Sequence, residues 1–341
     1  MADRSPTSLV TLPDIERALL ALPDDARLTP VVRFGKSYLK LECLQPVGSF
    51  KIRGALTKRS ELLPAARSSG VVSYSSGNHG WAVAHVARRL GVSATIVVPS
   101  DAPATKLLAI AREQAEIVSV AAHSDERRLA AEALARETGK ALIPPYDDRA
   151  VIIGQGTVGF ELLQQLKDMT SVVVPVGGGG LISGVAAALK AARPAVQVVG
   201  VEPEYATDAR ESFLSGHLVH WGPERVGRTF ADGVRTQSLG ELGYEHVSRL
   251  VDDMVAVSEQ EIESALVALL ESRLIVEPAG ALSLAAIQTG KVAAPGAVAV
   301  ISGGNASTEL LGSLVERVAR AQASGAKGIV TDQHQRPRLT K

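Results

Sequence analysis

Short β-branched runs alternate with helix-forming stretches through most of this 341-residue chain. Neither element can bury its apolar side without the other, so the pattern calls for parallel strands joined by crossover helices. Residues 71–74, 94–98, 115–119, 172–176, 196–201 and 297–301 are the expected strands. Residues 105–114, 126–138, 159–167 and 181–192 repeat apolar side chains at three and four and are expected helices. One more helix opens at Ser258 and Glu261, whose side chains can satisfy orphan amides reciprocally, and is expected to run to about Glu271. The tail 323–341, with its Gly, Gln, Pro and basic residues, is expected to be a poorly ordered extension.

Polar and glycine-rich loops fall at special places in this pattern. Residues 75–80, 177–180, 202–203 and 302–305 each begin where an apolar strand ends. In open parallel sheets ligands bind beyond the carboxyl ends of the strands, so one pocket can collect all four loops.

Apolar residues make up 46% of the chain, enough for two domains or one large α/β domain. The 36 basic and 36 acidic side chains cancel, which argues against nucleic acid or an anionic membrane as partner and favours a small neutral or zwitterionic ligand. A lone cysteine, Cys43, excludes an intrachain disulfide and CxxC metal or redox sites, and its apolar surroundings suit a packed thiol. The start has no secretory pattern and no run is long and apolar enough to span a bilayer, so the expected location is cytoplasmic.

Four segments carry candidate chemistry. Gly177, Gly178, Gly179 and Gly180 sit between a strand and a helix start; they read either as a flexible connection or as a phosphate cup, in which amides freed of Cβ converge at the positive end of the helix. The loop matches neither the Walker pattern nor the dinucleotide fingerprint. Lys51, within Gly48-Ser49-Phe50-Lys51-Ile52-Arg53-Gly54-Ala55, is either a solvated lysine or a Schiff-base lysine whose pKa burial depresses. Ser75, Ser76, Gly77, Asn78, His79 and Gly80 form a strand-to-helix turn that presents hydroxyls and amides to a carboxylate, with Asn78 able to reach a ring oxygen. Ser302-Gly303-Gly304-Asn305 is either a plain turn or a place where the Ser302 hydroxyl meets a pyridine nitrogen without protonating it. An uncharged ring is a weak electron sink, which favours loss of a β leaving group over transamination.

These motifs, with Glu277-Pro278-Ala279-Gly280 between them, occur together and in order, and from about Leu28 to Gln322 the chain resembles the fold-type II pyridoxal-phosphate enzymes, in their serine racemase and threonine/serine dehydratase branch. The resemblance implies an α/β fold of two open, mainly parallel sheets covered by helices, similar to the tryptophan synthase β subunit. It implies a larger domain of residues 1–54 and 148–341, a smaller domain of residues 55–147, and pyridoxal phosphate in the cleft between them. Lys51 would hold the cofactor aldehyde, Phe50 and Asn78 flank the ring, Gly177 to Gly180 with Leu181 hold the phosphate, and Ser302 meet the ring nitrogen. Ser75, Ser76, Asn78 and His79 would hold the substrate carboxylate, with Ser76 a second proton carrier opposite Lys51. Glu202, the Ala206 carbonyl and Asp208 match the branch's divalent-cation site, an all-oxygen set suited to Mg²⁺ or Ca²⁺.

Three departures qualify the resemblance. Trp81 stands where the branch has a glutamine-like residue beside the substrate loop, and Phe230 replaces a smaller aliphatic. Around Ala133, where some racemases carry an arginine near the substrate, only Leu-Ala-type residues are expected. The chain ends soon after its catalytic region, so no isoleucine feedback is expected. The implied activity is β-elimination from a β-hydroxy amino acid such as L-threonine or L-serine by a homodimer. Racemisation, dehydration of a hydroxyaspartate-type substrate, β-replacement and silent binding of the cofactor or an amino acid are the alternatives.

Overall fold

The computed structural model describes residues 9–75, 77–100, 102, 104–121 and 124–323. Helix α1 (Leu12–Ala21) precedes a hairpin of β1 (Val31–Phe34) and β2 (Ser37–Lys40). Then α2 (Lys51–Ser69), β3 (Val71–Tyr74), α3 (Asn78–Leu90), β4 (Ala94–Pro99), α4 (Ala104–Arg112), β5 (Glu116–Val120), α5 (Ser124–Thr138) and β6 (Ala141–Leu142) follow. The chain continues through α6 (Arg149–Gln165), β7 (Ser171–Pro175), α7 (Gly180–Ala192), β8 (Gln197–Pro203), α8 (Asp208–Ser215), α9 (Pro223–Val226), α10 (Glu241–Leu250) and β9 (Asp253–Val257). It closes with α11 (Glu259–Glu271), α12 (Pro278–Gln288), β10 (Ala297–Val300) and α13 (Thr308–Ala323).

Two sheets result, one of six strands in the order β1-β2-β10-β7-β8-β9 and one of four in the order β5-β4-β3-β6. Among the described strand pairs only β1–β2 is antiparallel. The expected α/β class with two mainly parallel sheets is the one observed. Period-two alternation sends Val173, Val199 and Ala299 to one face of the larger sheet, against Leu266, Leu269 and Leu282 of α11 and α12. Val172, Val174 and Val298 go to the other, against Leu162, Ile182 and Val185 of α6 and α7. Ile96 and Val98 of the smaller sheet pack on Ile52, Val83 and Val86 of α2 and α3.

Helix α11 starts as the sequence predicts, with both arms of the Ser258–Glu261 capping box formed. Helix α6 differs: it begins at Arg149, capped by Asp148, ten residues before the expected start at 159. Gly154, Gly156 and Gly159 read locally as weak helix formers, yet each is a point of close approach. A Cβ at Gly154 would lie 2.6 Å from the Arg53 carbonyl, and one at Gly159 would lie 2.9 Å from the Val185 carbonyl. Tertiary packing of α6 on α2 and α7 overrides propensity there. The expected extension after residue 323 lies outside the described residues.

Candidate active site

Because β3, β7, β8 and β10 run in parallel within their sheets, their carboxyl ends deliver the special loops to shared ground. Gly48 has φ +69°, and a Cβ there would strike the Asn305 side chain at 2.2 Å, so only glycine lets the two loops meet. The Phe50 amide donates to the Ser302 carbonyl at 3.1 Å, and the Gly304 amide to the Gly48 carbonyl at 2.8 Å. These bonds stitch the loop before Lys51 to the loop after β10.

Lys51 opens α2 and faces a cavity of about 220 Å³ lined by Phe50, Ser75, Asn78, His79, Gly177 to Gly180, Leu181 and Ser302. Its Nζ donates to the Pro145 carbonyl at 2.7 Å and lies 5.1 Å from the centre of the Phe50 ring. Burial pushes its pKa down to about 8, against the opposing pull of Glu277. The sequence-derived candidates just named therefore share one cavity. Ser76 lies outside the described residues.

The glycine run is a cradle rather than a slack connection. A Cβ at Gly178 would lie 2.3 Å from the Tyr146 ring, and Gly179 has φ +89° where it caps the 13-residue helix α7. Thr236 contributes a buried Oγ1 with no partner beside the same loop. Free helix-terminal amides, an orphan hydroxyl and a facing lysine fit a phosphorylated aldehyde.

His79 is 2% exposed, and its Nε2 lies 3.1 Å from the Ile143 carbonyl. Burial first, then Lys51, pushes its pKa to about 3, so it stays neutral at ordinary pH and serves as a fixed dipole. Ser75 Oγ accepts from the Gly77 amide at 3.2 Å, and Ser302 is 4% exposed on the cavity wall. Trp81 lines an adjoining cavity of about 540 Å³ together with Phe230, and its Nε1 donates to Glu113 at 3.3 Å. Asn78, Lys106, Asp232 and Glu277 border both cavities.

Sequence reasoning missed several groups on these walls. Glu277 is 5% exposed, and burial followed by the charge of Asp232 pushes its carboxyl up to about 7. The sequence marks Glu277 only as a member of the Glu277-Pro278-Ala279-Gly280 motif and gives its side chain no role of its own. Tyr74, Tyr146, Arg127 and Arg128 also line the lysine cavity. The two arginines stand near the start of α5, upstream of the Leu-Ala-type stretch around Ala133, so the same helix still brings two cations to the cavity wall.

Lys106 and Asp232 form an ion pair that joins α4, beside the smaller sheet, to the segment before α10. Below the lysine loop, Arg53 is fully buried and paired with Glu42 and Glu161. That network gives the arginine of the lysine motif a structural task, anchoring the first turn of α2.

At the end of β8, Glu202 and Asp208 are each 1% exposed, as is Ala206. Glu202 accepts from the Ala209 and Arg210 amides at 3.0 and 2.7 Å, whereas neither carboxylate oxygen of Asp208 has a partner. Burial and the Asp208 charge push Glu202 well above the usual carboxylate range, and burial pushes Asp208 up to about 7. Among the described residues there is no cluster of three or more His, Cys, Asp or Glu side chains that could hold a metal. Two buried carboxylates, one of them unpartnered, with a nearby carbonyl fit a hard cation that takes oxygen ligands.

Comparison with known proteins falls in with this geometry. Residues 23–303 match the family described as pyridoxal-phosphate dependent enzyme. The chain is 39% identical over 337 residues to a catabolic L-threonine dehydratase of Staphylococcus aureus, covering 94% of this chain and 96% of that protein. Among solved structures it is similar to the T.th. threonine deaminase, with a TM-score of 0.81, 40% identity, and 87% and 99% of the two chains covered. Maize serine racemase is also similar, with a TM-score of 0.83, 34% identity, and 92% and 99% covered.

Proposed function

The chain belongs to the pyridoxal-phosphate dependent enzymes, and from that premise we propose that it eliminates the β-hydroxyl of a small amino acid, L-threonine or L-serine, to give a 2-oxo acid and ammonia. The observation that carries the reading is a single cavity in which Lys51 faces the glycine cradle while Ser302, with no carboxylate in its place, lines the wall. Pyridoxal-phosphate chemistry of the ammonia-lyase kind accords with the threonine dehydratase and deaminase relatives.

When bound, the cofactor supplies an aldehyde for the substrate amine and a ring that accepts negative charge from Cα. The Gly177 to Gly180 amides, Leu181 and Thr236 would hold its phosphate, Phe50 would pack beside the ring, and the Ser302 hydroxyl would meet the ring nitrogen. Ser75, the main-chain amide of Asn78 and the neutral His79 orient the substrate carboxylate. Lys51, with its pKa lowered by burial to about 8, has enough free amine at neutral pH to take the Cα proton. The β-hydroxyl leaves with a proton as water, and water later releases ammonia, so the reaction needs no external oxidant or reductant.

Two lobes belong to the same reading, with residues 55–147 as the smaller one; the four-stranded sheet, built from β3 to β6, supports it. The unpartnered Asp208 oxygens support a Mg²⁺ or Ca²⁺ held by Glu202, Asp208 and the Ala206 carbonyl. A cytoplasmic homodimer completes it, and Leu44 and Ile275, 45% and 54% exposed, supply apolar surface for a partner. Among the described residues no helix is long and apolar enough to cross a membrane.

A second reading, elimination from or racemisation of an acidic or β-hydroxy acidic amino acid, is favoured by Arg127 and Arg128 on the cavity wall. Ser76 would be its second proton carrier. Both readings are tested by offering the purified enzyme L and D forms of serine, threonine, aspartate and β-hydroxyaspartate while following oxo acid and enantiomer. Oxo acid from L-threonine or L-serine, lost in Lys51→Ala, supports the first reading. Activity confined to the acidic substrates replaces it with the second, and full activity of Lys51→Ala overturns both.

A further inference from the structure

Glu277 occupies the cap position of α12, yet its side chain makes no bond to that helix. It turns toward Asn78 instead, accepting from Asn78 Nδ2 at 2.6 Å. On its other side Asn78 offers Oδ1 to Asn305 Nδ2 at 2.7 Å, and Asn305 Nδ2 also donates to the Val47 carbonyl at 2.9 Å. A carbonyl and a carboxylate can only accept, so the two ends of this chain fix both amides: a flipped Asn78 would set N–H against N–H and oxygen against oxygen.

The glycines around the chain are shaped to it. A Cβ at Gly303 would lie 2.1 Å from Glu277 Oε1 and 3.1 Å from Asn78 Nδ2. A Cβ at Gly48 would displace Asn305. The glycines of the lysine loop and of the loop after β10 thus make room for an Asn305–Asn78–Glu277 relay from three separate parts of the sequence.

We propose that Glu277 is a positioning residue for cofactor binding: it holds one Nδ2 hydrogen of Asn78 and so presents the other to the ring in the lysine cavity. The proposal rests on the cofactor occupying that cavity. The relay is sensitive to the charge of Glu277, since a protonated carboxyl can also donate and no longer dictates the amide orientation. The charged groups facing it are Lys51 from α2, Lys106 from α4, and Asp232 and Arg235 from the segment between α9 and α10.

The test is titration of apoprotein with pyridoxal phosphate, read as dissociation constant and as the position of the visible band, for wild type, Glu277→Ala, Glu277→Gln, Asn78→Ala and the Glu277→Ala/Asn78→Ala double variant. Glu277→Ala is expected to weaken cofactor binding about tenfold in the wild-type background and less than twofold in the Asn78→Ala background, because the carboxylate acts through the amide. Melting of the apoprotein monitors folding. Should Glu277→Ala not fold, Glu277→Gln carries the test: the wild-type band is expected to respond to pH between about pH 6 and 8, and the Glu277→Gln band to lose that response. Additive losses in the double variant, or a wild-type band and affinity in the folded Glu277 variants, overturn the proposal. A wild type that forms no visible band defeats the cofactor reading itself, an outcome distinct from failure of the Glu277 assignment.

Discussion

Beneath the lysine loop, Lys40, Glu42, Arg53 and Glu161 are all at most 2% exposed, and at the end of β8 Glu202 and Asp208 are buried to the same degree. In the first group two cations meet two anions. Arg53 reaches Glu42 through Nε and Nη2 at 2.8 Å each and Glu161 through Nη1 and Nη2 at 2.6 and 2.9 Å. Thr29 and Thr157 take further positions on the cluster, and Lys40 also binds Gln165 and the Thr29 carbonyl. Burial opposes ionisation of Glu42, but the Arg53 guanidinium, Lys40 and the Thr29 hydroxyl together outweigh it and hold the carboxyl below its ordinary range. In the second group burial and like charge act in the same direction, and Asp208 is left with two unpartnered oxygens. Equal burial therefore yields a closed structural clamp in one place and an uncompensated acidic pair suited to a cation in the other.

The largest effect should come from opening the clamp. Arg53→Ala leaves Glu42 and Glu161 without their guanidinium and should cost about 3–5 kcal/mol of unfolding free energy, the usual penalty for breaking a buried ion pair from one side. Denaturant titration of the apoprotein measures it. A loss below about 1 kcal/mol would mean that the cluster reorganises freely and does not anchor the first turn of α2.

The corresponding change in the acidic pair should have the opposite character. Asp208→Asn removes a like charge, so in chelated protein it should be neutral or stabilising. Addition of Ca²⁺ or Mg²⁺ at about a hundred times its dissociation constant should then stabilise the parent protein by about 2.7 kcal/mol and leave Asp208→Asn unmoved. Equal stabilisation of both proteins would remove the distinction between the two groups.

The same contrast explains what the sequence could and could not disclose. Lys51, the glycine cradle, Asn78 and Ser302 were legible as candidates because each sits in a short motif, at a helix start for Lys51 and at a strand end for the others, where local chemistry is nearly sufficient. The parallel sheets were legible through Val-rich runs such as those of β7 and β8. Arg53, in contrast, finds Glu161 across 108 positions, and Asn78 finds Glu277 across 199. No spacing rule connects residues so far apart. Helix α6 was cut short for a related reason: Gly154 and Gly159 weaken a helix locally and strengthen it only through neighbours on other elements. Arg127 and Arg128 were visible as residues, but their place on the cavity wall depends on how α5 lies over the smaller sheet.

Two lysines carry the comparison into the pH domain. Burial lowers both, but Lys40 is held by Glu161 and Glu42 whereas Lys51 has only the opposing pull of Glu277. For Lys51 the neutral amine dominates above about pH 8 and is lost as pH falls. Cofactor uptake by apoprotein should therefore rise about tenfold per unit below pH 8 and level off above it. Borohydride reduction followed by peptide mapping should mark Lys51 and leave Lys40 unmarked throughout. Labelling of Lys40 would show that its clamp opens on the same timescale and is less closed than its geometry indicates.

The smallest effect belongs to an acid that is neither fully buried nor unmatched. Glu113, with a side chain 14% exposed, takes Trp81 Nε1 at 3.3 Å, His85 Nδ1 at 3.1 Å and Arg88 at 3.5 Å, all looser than the bonds Arg53 makes to Glu42 and Glu161. Solvent screens such contacts, so Glu113→Ala should cost roughly 0–1 kcal/mol of stability. Its consequence should appear in the cavity instead, because Glu113 holds the indole of Trp81, which lines that cavity with Phe230. Glu113→Ala and Trp81→Gln should each shift the ratio of kcat/KM for L-threonine over L-serine by only a few fold, the scale set by a single methyl group in an apolar pocket. A stability loss for Glu113→Ala as large as that of Arg53→Ala would show that the number of partners, and not burial, sets these energies. An unchanged substrate ratio in Trp81→Gln would place the larger cavity outside substrate discrimination.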